Sequence, residues 1–242
     1  MLSIYIKEIR SFLSSLIAYV VIIVFLLLIG LFTWVFADGN VLDLGYSNLD
    51  TLFLMAPWVF IFLISAITMR SFSEEKRTGT FELLSTKPLT DIQIIGGKYL
   101  AAVTLIVFAI LPTLLYFYSV YQLGLPKGNI DVGATWGSYI GLLFLGGCYA
   151  AIGLFASAIT PNQIVAFILS MFLCFFFYMG FEQLSNLGLF GSSDYLVQWM
   201  GIQFHYDSIS RGVLDTRDLV YFLSFIAVFL TGTSLILNSR KW

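Results

Sequence analysis

Charge is what this chain has least of. Asp, Glu, Lys and Arg make up 11% of its 242 residues, under half of the roughly 25% usual in soluble domains. Hydrophobic residues make up 59%, and the mean hydropathy is +0.93. Such a chain cannot clothe a water-facing surface, so its solvent is lipid. Cysteine is nearly absent too. Cys148 and Cys174 both fall in apolar runs without a CxxC or CxxCH spacing, which excludes a disulfide framework and a c-type haem site. There is no HExxH, no GxSxG and no metal-spaced cluster. Gly96-Gly97-Lys98 looks like the end of a phosphate-binding loop, but Ile92 stands where the first glycine belongs and Tyr99 replaces the Ser or Thr. The single histidine, His205, lies close to Asp207 in a polar-aromatic stretch and reads as a wet interfacial residue. Ionisable groups are missing from the apolar runs, where ion-coupled transporters place them. That argues against a proton-driven pump and an intramembrane hydrolase. No catalytic residue, no metal and no nucleic-acid partner are expected.

What is present is long uncharged sequence. Residues 11–37, 51–69, 99–126, 132–181 and 219–239 contain no charged side chain. A spanning helix needs about 20 apolar residues, and the 50-residue run 132–181 is broken by the turn signal Thr160-Pro161-Asn162-Gln163. Six spans result, at about 16–37, 51–70, 98–122, 134–158, 163–182 and 218–238. The fold class is therefore an all-α integral membrane protein in one domain. Nine basic residues fall on the side of the N-terminus and three (Lys127, Arg211, Arg217) on the other. By the positive-inside rule both termini are cytoplasmic. The first apolar run is too long for a cleavable signal.

Residues 1–15, with the Leu16 that follows, alternate an apolar face (Leu2, Tyr5, Ile9, Phe12, Leu16) with a polar one (Ser3, Lys7, Arg10, Ser11, Ser14). The pattern predicts a helix lying on the inner leaflet. Pro112 predicts a kink in the third span. Gly133, Gly137 and Gly141 recur every fourth residue, a spacing that lets helices pack closely. Phe172, Phe175, Phe176, Phe177, Tyr178 and Phe181 make the fifth span aromatic, suiting a lipid-facing or core surface. Residues 183–217, rich in apolar and aromatic side chains, suit short helices re-entering the outer interface. Asp215 is a candidate N-cap for the last span.

The most informative stretch is the loop 71–97. Residues 70–98 gather five of the twelve basic residues and four of the fourteen acidic ones. Ser71-Phe72-Ser73-Glu74 and Thr90-Asp91-Ile92-Gln93 have the form of capping boxes, so the loop is expected to be ordered. Held by a span on each side, it reads as a docking surface for a soluble partner. Glu74, Glu75 and Glu82 would accept from basic groups on that partner, Leu83 and Leu84 would fill an apolar cleft, and Gly79 would permit a sharp turn.

FSEEKRTGTFELLSTKPLTDIQIIGGKYLAA (72–102) resembles the coupling region of ABC-2 type permeases, and AAIGLFASAITPNQIVAF (150–167) resembles their turn between spans four and five. APWVFIFLISAITMRSFSEEKRTGTFELL, GNIDVGATWGSYIGLLFL, NQIVAFILSMFLCFFFYMGFE and SISRGVLDTRDLVYF are similar to the gliding-motility ABC permease subunit of Bacteroidetes, the GldF type. The resemblance implies a six-helix, type V exporter-like permease half. It implies an amphipathic N-terminal helix, a cytoplasmic coupling helix and re-entrant outer helices before the last span. The coupling motif falls on Gly79, Thr80, Glu82, Leu83 and Leu84, preceded by Glu74, Glu75, Lys76 and Arg77, with Thr160, Pro161, Asn162 and Gln163 as a second contact. Ser85 departs from the Leu more usual there. Implied partners are a separate ABC ATPase that carries the ATP and Mg, the lipid bilayer, and a second permease with a large extracytoplasmic domain or a second copy of this chain. The implied place is the bacterial inner membrane. Another cargo, such as a drug, a lipid-linked glycan or a metal-maturation factor, or force transmission without a solute, fits the same residues.

Overall fold

The computed structural model describes residues 1–36, 40–43, 45–80, 90–188, 191, 194–213 and 215–238. Every regular element among them is helical. Six helices are long and apolar enough to cross a membrane, as composition demands, because a backbone in lipid must satisfy its own hydrogen bonds.

A short helix α1 (Leu2–Leu13) precedes the first long helix, α2 (Leu16–Trp34). Then come α3 (Asp50–Thr68), the five-residue α4 (Ser73–Arg77) and α5 (Asp91–Ile110). Pro112 sits in a single 3-10 turn, Leu111–Thr113, that joins α5 to α6 (Leu114–Leu123). Side chains bond the backbone around the turn: Thr113 donates to the Ile110 carbonyl at 2.7 Å, and Tyr139 donates to the Thr113 carbonyl at 3.0 Å. The sequence reading passed over a second proline, Pro57, which lies buried inside α3. The central helix α7 (Val132–Ile159) follows, then α8 (Gln163–Phe175), a π-helical turn Phe176–Gly180 and α9 (Phe181–Asn186). The short α10 (Asp194–Trp199) and α11 (Ile202–Ser210) lead to the last span, α12 (Thr216–Asn238).

Helix α7 is the hub, packing against α3, α5, α8, α11 and α12. Its small residues make this possible, since without a hydrophobic drive in lipid, helices associate by close van der Waals fit. A Cβ on Gly146 would lie 2.9 Å from Ile106 Cγ2, and one on Gly141 2.4 Å from Ile209 Cγ2. A Cβ on Gly137 would meet the Gly212 carbonyl oxygen at 2.9 Å. The Gly137–Gly141 edge thus seats α11 and the turn after it, within the same chain. Gly133 only approaches its neighbour Asp131.

Helix termini largely follow the local code. Thr90 and Gln93 exchange the two reciprocal capping-box bonds, each 3.3 Å. Asn162 Oδ1 accepts from the Ile164 amide at 2.9 Å and opens α8, and Asp215 Oδ1 accepts from the Arg217 amide at 2.9 Å at the start of α12. The expected box at Ser71 does not form. There the cap is supplied from α7: Ser157 Oγ accepts from the amides of Phe72 and Ser73 at 2.8 and 3.1 Å. A long-range hydroxyl replaces the local one because α4 is folded back against α7 and α8.

Candidate functional site

The amphipathic pattern of residues 2–13 does fold as a helix, but α1 lies on α5 with a different edge inward. Ile4 is buried while Leu2 is 70% exposed. The crossing point is Gly97, where a Cβ would come within 3.1 Å of the Met1 carbonyl oxygen and 3.2 Å of Ile4. The glycines of the 96–98 motif therefore serve helix packing.

Its lysine serves an ion cluster that sequence reasoning missed. Lys98 is 2% exposed; its ammonium donates to Glu8 Oε1 at 2.8 Å and the Ser71 carbonyl at 2.5 Å and forms an ion pair with Glu75 Oε1 at 3.0 Å. Phe72 lies beneath the ammonium, 5.0 Å to the ring centroid, adding a cation–π contact. Lys7 completes the group, 2.6 Å from Glu75 Oε1 and 3.7 Å from Glu8 Oε1. Partial burial opposes the Lys7 charge, but the Glu75 hydrogen bond and charge, then those of Glu8, outweigh it and raise its pKa above 10.5. Two lysines against two carboxylates make the cluster neutral. It ties α1, α4 and α5 to one point, and no spacing within a single segment reveals it.

The loop residues singled out from the sequence divide sharply. Glu75 is buried and turned inward, so its Oε1 is engaged with Lys98 and Lys7. Lys76 donates to the Ala158 carbonyl at the end of α7. Glu74 is half-buried, while Arg77, Gly79 and Thr80 are exposed. Gly79 has φ +70°, the left-handed region in which a Cβ is strained. Glu82, Leu83 and Leu84, together with Ser85, lie outside the described residues. In the turn 160–163, which begins two residues beyond Ala158, Pro161 and Asn162 are exposed and Thr160 and Gln163 half-buried. The Lys76 contact therefore brings the end of α4 and this turn to the same end of the bundle.

The outer short helices carry a second polar centre. His205 is not wet: it is 1% exposed, its Nδ1 lies 2.6 Å from Asp218 Oδ1 and its Nε2 2.9 Å from the Trp199 carbonyl. Its ring stacks on Tyr221 at 3.8 Å. The partner is Asp218, thirteen residues on, and not Asp207. Asp207 instead borders an open cavity of about 560 Å³ shared with Glu182 and Arg211. Burial and then the Glu182 charge raise its pKa above 3.8, with Arg211 opposing. An acid whose folded pKa is raised adds stability below its unfolded value, and loses it as pH climbs through the folded one. At neutral pH its charge is a cost. Asp207→Asn is therefore expected to raise the melting temperature at neutral pH by no more than about 2 °C, the residue being exposed to solvent. The gain should vanish near about pH 4; melting curves at both values check this.

Among the described residues no three His, Cys, Asp or Glu side chains come together as a metal site. What the molecule presents is a packed bundle with a short helix held against α7 and α8, and with Arg77–Thr80 exposed at its end. Residues 40–206, more than two thirds of the chain, match the model of the ABC-2 family transporter protein. The chain belongs to the ABC-2 transporter family. No curated protein matches it. Family membership makes it a multi-pass membrane protein and a permease subunit of an ABC transporter, the transport half that works with an ABC ATPase. The matched stretch of this permease takes in α3, α4, the loop to α5, all of α7 and the outer helices as far as Tyr206.

Proposed function

We propose that this permease is one half of an exporter-type ABC complex of the bacterial inner membrane, associated with gliding motility, and that its loop 71–97 receives the separate ATPase. The observation that carries this reading is the anchoring of α4. Its backbone is capped by Ser157, its Lys76 by the Ala158 carbonyl, and its Glu75 by Lys98, while Arg77, Gly79 and Thr80 just beyond are exposed. A surface held that firmly transmits displacement to α5, α7 and α8 instead of absorbing it. ATP and Mg sit on the ATPase. Its closure moves the loop and shifts the bundle between discrete packings. Glu74, Arg77, Gly79, Thr80, Glu82, Leu83 and Leu84 face the ATPase, with the turn 160–163 as second contact. Both termini are cytoplasmic, and the other half of the complex is a related permease with a large extracytoplasmic domain.

Two experiments test this. Purification of the chain from its native membrane in mild detergent, with mass spectrometry, should recover an ATPase and the larger permease. Recovery of an ATPase with this chain alone would replace the heteromeric, gliding-type reading by a homodimeric exporter. In the second, Glu82→Arg should lower ATPase recovery at least about tenfold, as charge reversal at an interface does, with membrane insertion unchanged. Undiminished recovery would remove the loop from the interface.

A further inference from the structure

Beside the ion cluster lies a cavity of about 330 Å³, enclosed by α1, the start of α2, the end of α3 and α4. Its size falls within the about 300–1,000 Å³ of small-molecule sites. Its wall is two-faced. One side is apolar, with Phe12, Ile17 and Ile67, and the other carries Arg70, Glu74 and Glu75. Two buried polar atoms on that second side have no partner among the described residues, and they are of opposite kind. Arg70 Nε is a donor without an acceptor, and Glu75 Oε2 is an acceptor without a donor. Among the described residues, Arg70 is otherwise held by a 3.3 Å bond from Nη1 to Ser15 Oγ. Leaving such atoms unmet is costly, more so for charged groups.

The chemistry that meets both is a zwitterion with an anionic acceptor at one end and an N–H donor at the other. The place narrows it. The cavity sits where two apolar spans end, the level at which headgroups lie, and the adjoining Leu16 and Val20 of α2 are exposed. We propose that it binds the headgroup of an ethanolamine phospholipid, the phosphate on the Arg70 guanidinium and the ammonium on Glu75 Oε2, with an acyl chain leaving past Ile17. Three carboxylates (Glu8, Glu74, Glu75) and two cations (Lys7, Arg70) line the cavity, and this excess of negative charge disfavours a headgroup of net negative charge. A choline headgroup has no N–H for Glu75. The bound lipid would join α1 to α3 and α4. This site is independent of which ATPase or cargo the permease serves.

The test is native mass spectrometry of the full-length permease released from nanodiscs holding equal amounts of phosphatidylethanolamine, phosphatidylcholine and phosphatidylglycerol with matched chains. One retained phosphatidylethanolamine is expected, favoured roughly tenfold over each of the others. N-methyl and N,N-dimethyl headgroups should still be retained, with the loss coming only at the third methyl, when the last N–H goes. Arg70→Gln should lower retention of all three lipids, because the phosphate it holds is common to them. The methyl series needs no substitution, so it decides the matter even if that variant folds poorly. Equal retention of all three lipids, or a decline spread evenly over the methyl series, would overturn the proposal. Displacement of the lipid by soluble phosphoethanolamine would overturn the membrane as its source.

Discussion

Lys98→Met is expected to destabilise the permease by about 3–5 kcal/mol, the cost of removing one partner from a buried ion pair. The methionine preserves the aliphatic volume and deletes the charge. What remains is Glu8 facing Glu75, with side chains only 20% and 10% exposed, and Lys7 alone to balance them. Lys7 is poorly placed for that, since its side chain is 53% exposed. The carbonyl of Ser71 also loses its 2.5 Å donor. Because the cluster joins α1 to α4 and α5, the damage should be local before it is global. A detergent-solubilised sample should show α1 cleaved by protease at concentrations that spare the wild type, together with a lower melting temperature. The double variant Lys98→Met with Glu75→Gln should regain part of the loss, since it no longer buries an unbalanced carboxylate. An unchanged melting temperature and unchanged cleavage of α1 in Lys98→Met would show that the cluster does not hold that end of the bundle.

Gly212→Ala should cost a comparable amount, about 2–5 kcal/mol, for two additive reasons. Its φ of +82° lies where a Cβ costs roughly 1–2 kcal/mol. The new methyl would also stand 2.2 Å from Ala134 Cα, 2.5 Å from Ala134 Cβ and 2.8 Å from the Ala134 carbonyl oxygen. Much of that obstacle is backbone of α7, the helix against which most of the bundle is packed, so no rotamer change relieves it, and overpacking adds about 1–3 kcal/mol. Gly188 separates the two contributions. It shares a positive φ, 64°, with nothing among the described residues within 4 Å. Gly188→Ala should therefore show only the conformational part, roughly 1–2 kcal/mol. Equal losses in the two variants, measured by thermal denaturation in the same detergent, would mean that the α7 contact contributes nothing.

How much of this was readable beforehand depended on the range of each interaction. The six long helices follow from uncharged runs alone, because lipid leaves a chain no other way to satisfy its backbone. Thr90–Gln93, Asn162 and Asp215 cap helices as their types suggest, since those bonds close within three residues. Ser71 was misleading for the same reason in reverse: its local pattern was sound, but Ser157, 85 residues away from the Phe72 it bonds, reached the amides first. His205 reads from the sequence as a wet interfacial residue, yet the packing of α11 on α12 buries it against Asp218 and Tyr221. The third-span lysine was counted as a boundary marker and turned out to be the best-buried cation in the described structure.

The sequence by itself determined the solvent, the helix count, the local caps at Thr90, Asn162 and Asp215 and the family resemblance, all consequences of composition and of patterns within short segments. Only the tertiary structure decided which loop charges are spent inside and which remain outside. Glu75 and Lys76 resemble Glu74 and Arg77 in every local respect. They part because α4 folds against α7 and α8 and turns one side of a five-residue helix toward Lys98 and Ala158, a choice made by packing over more than 80 residues of chain.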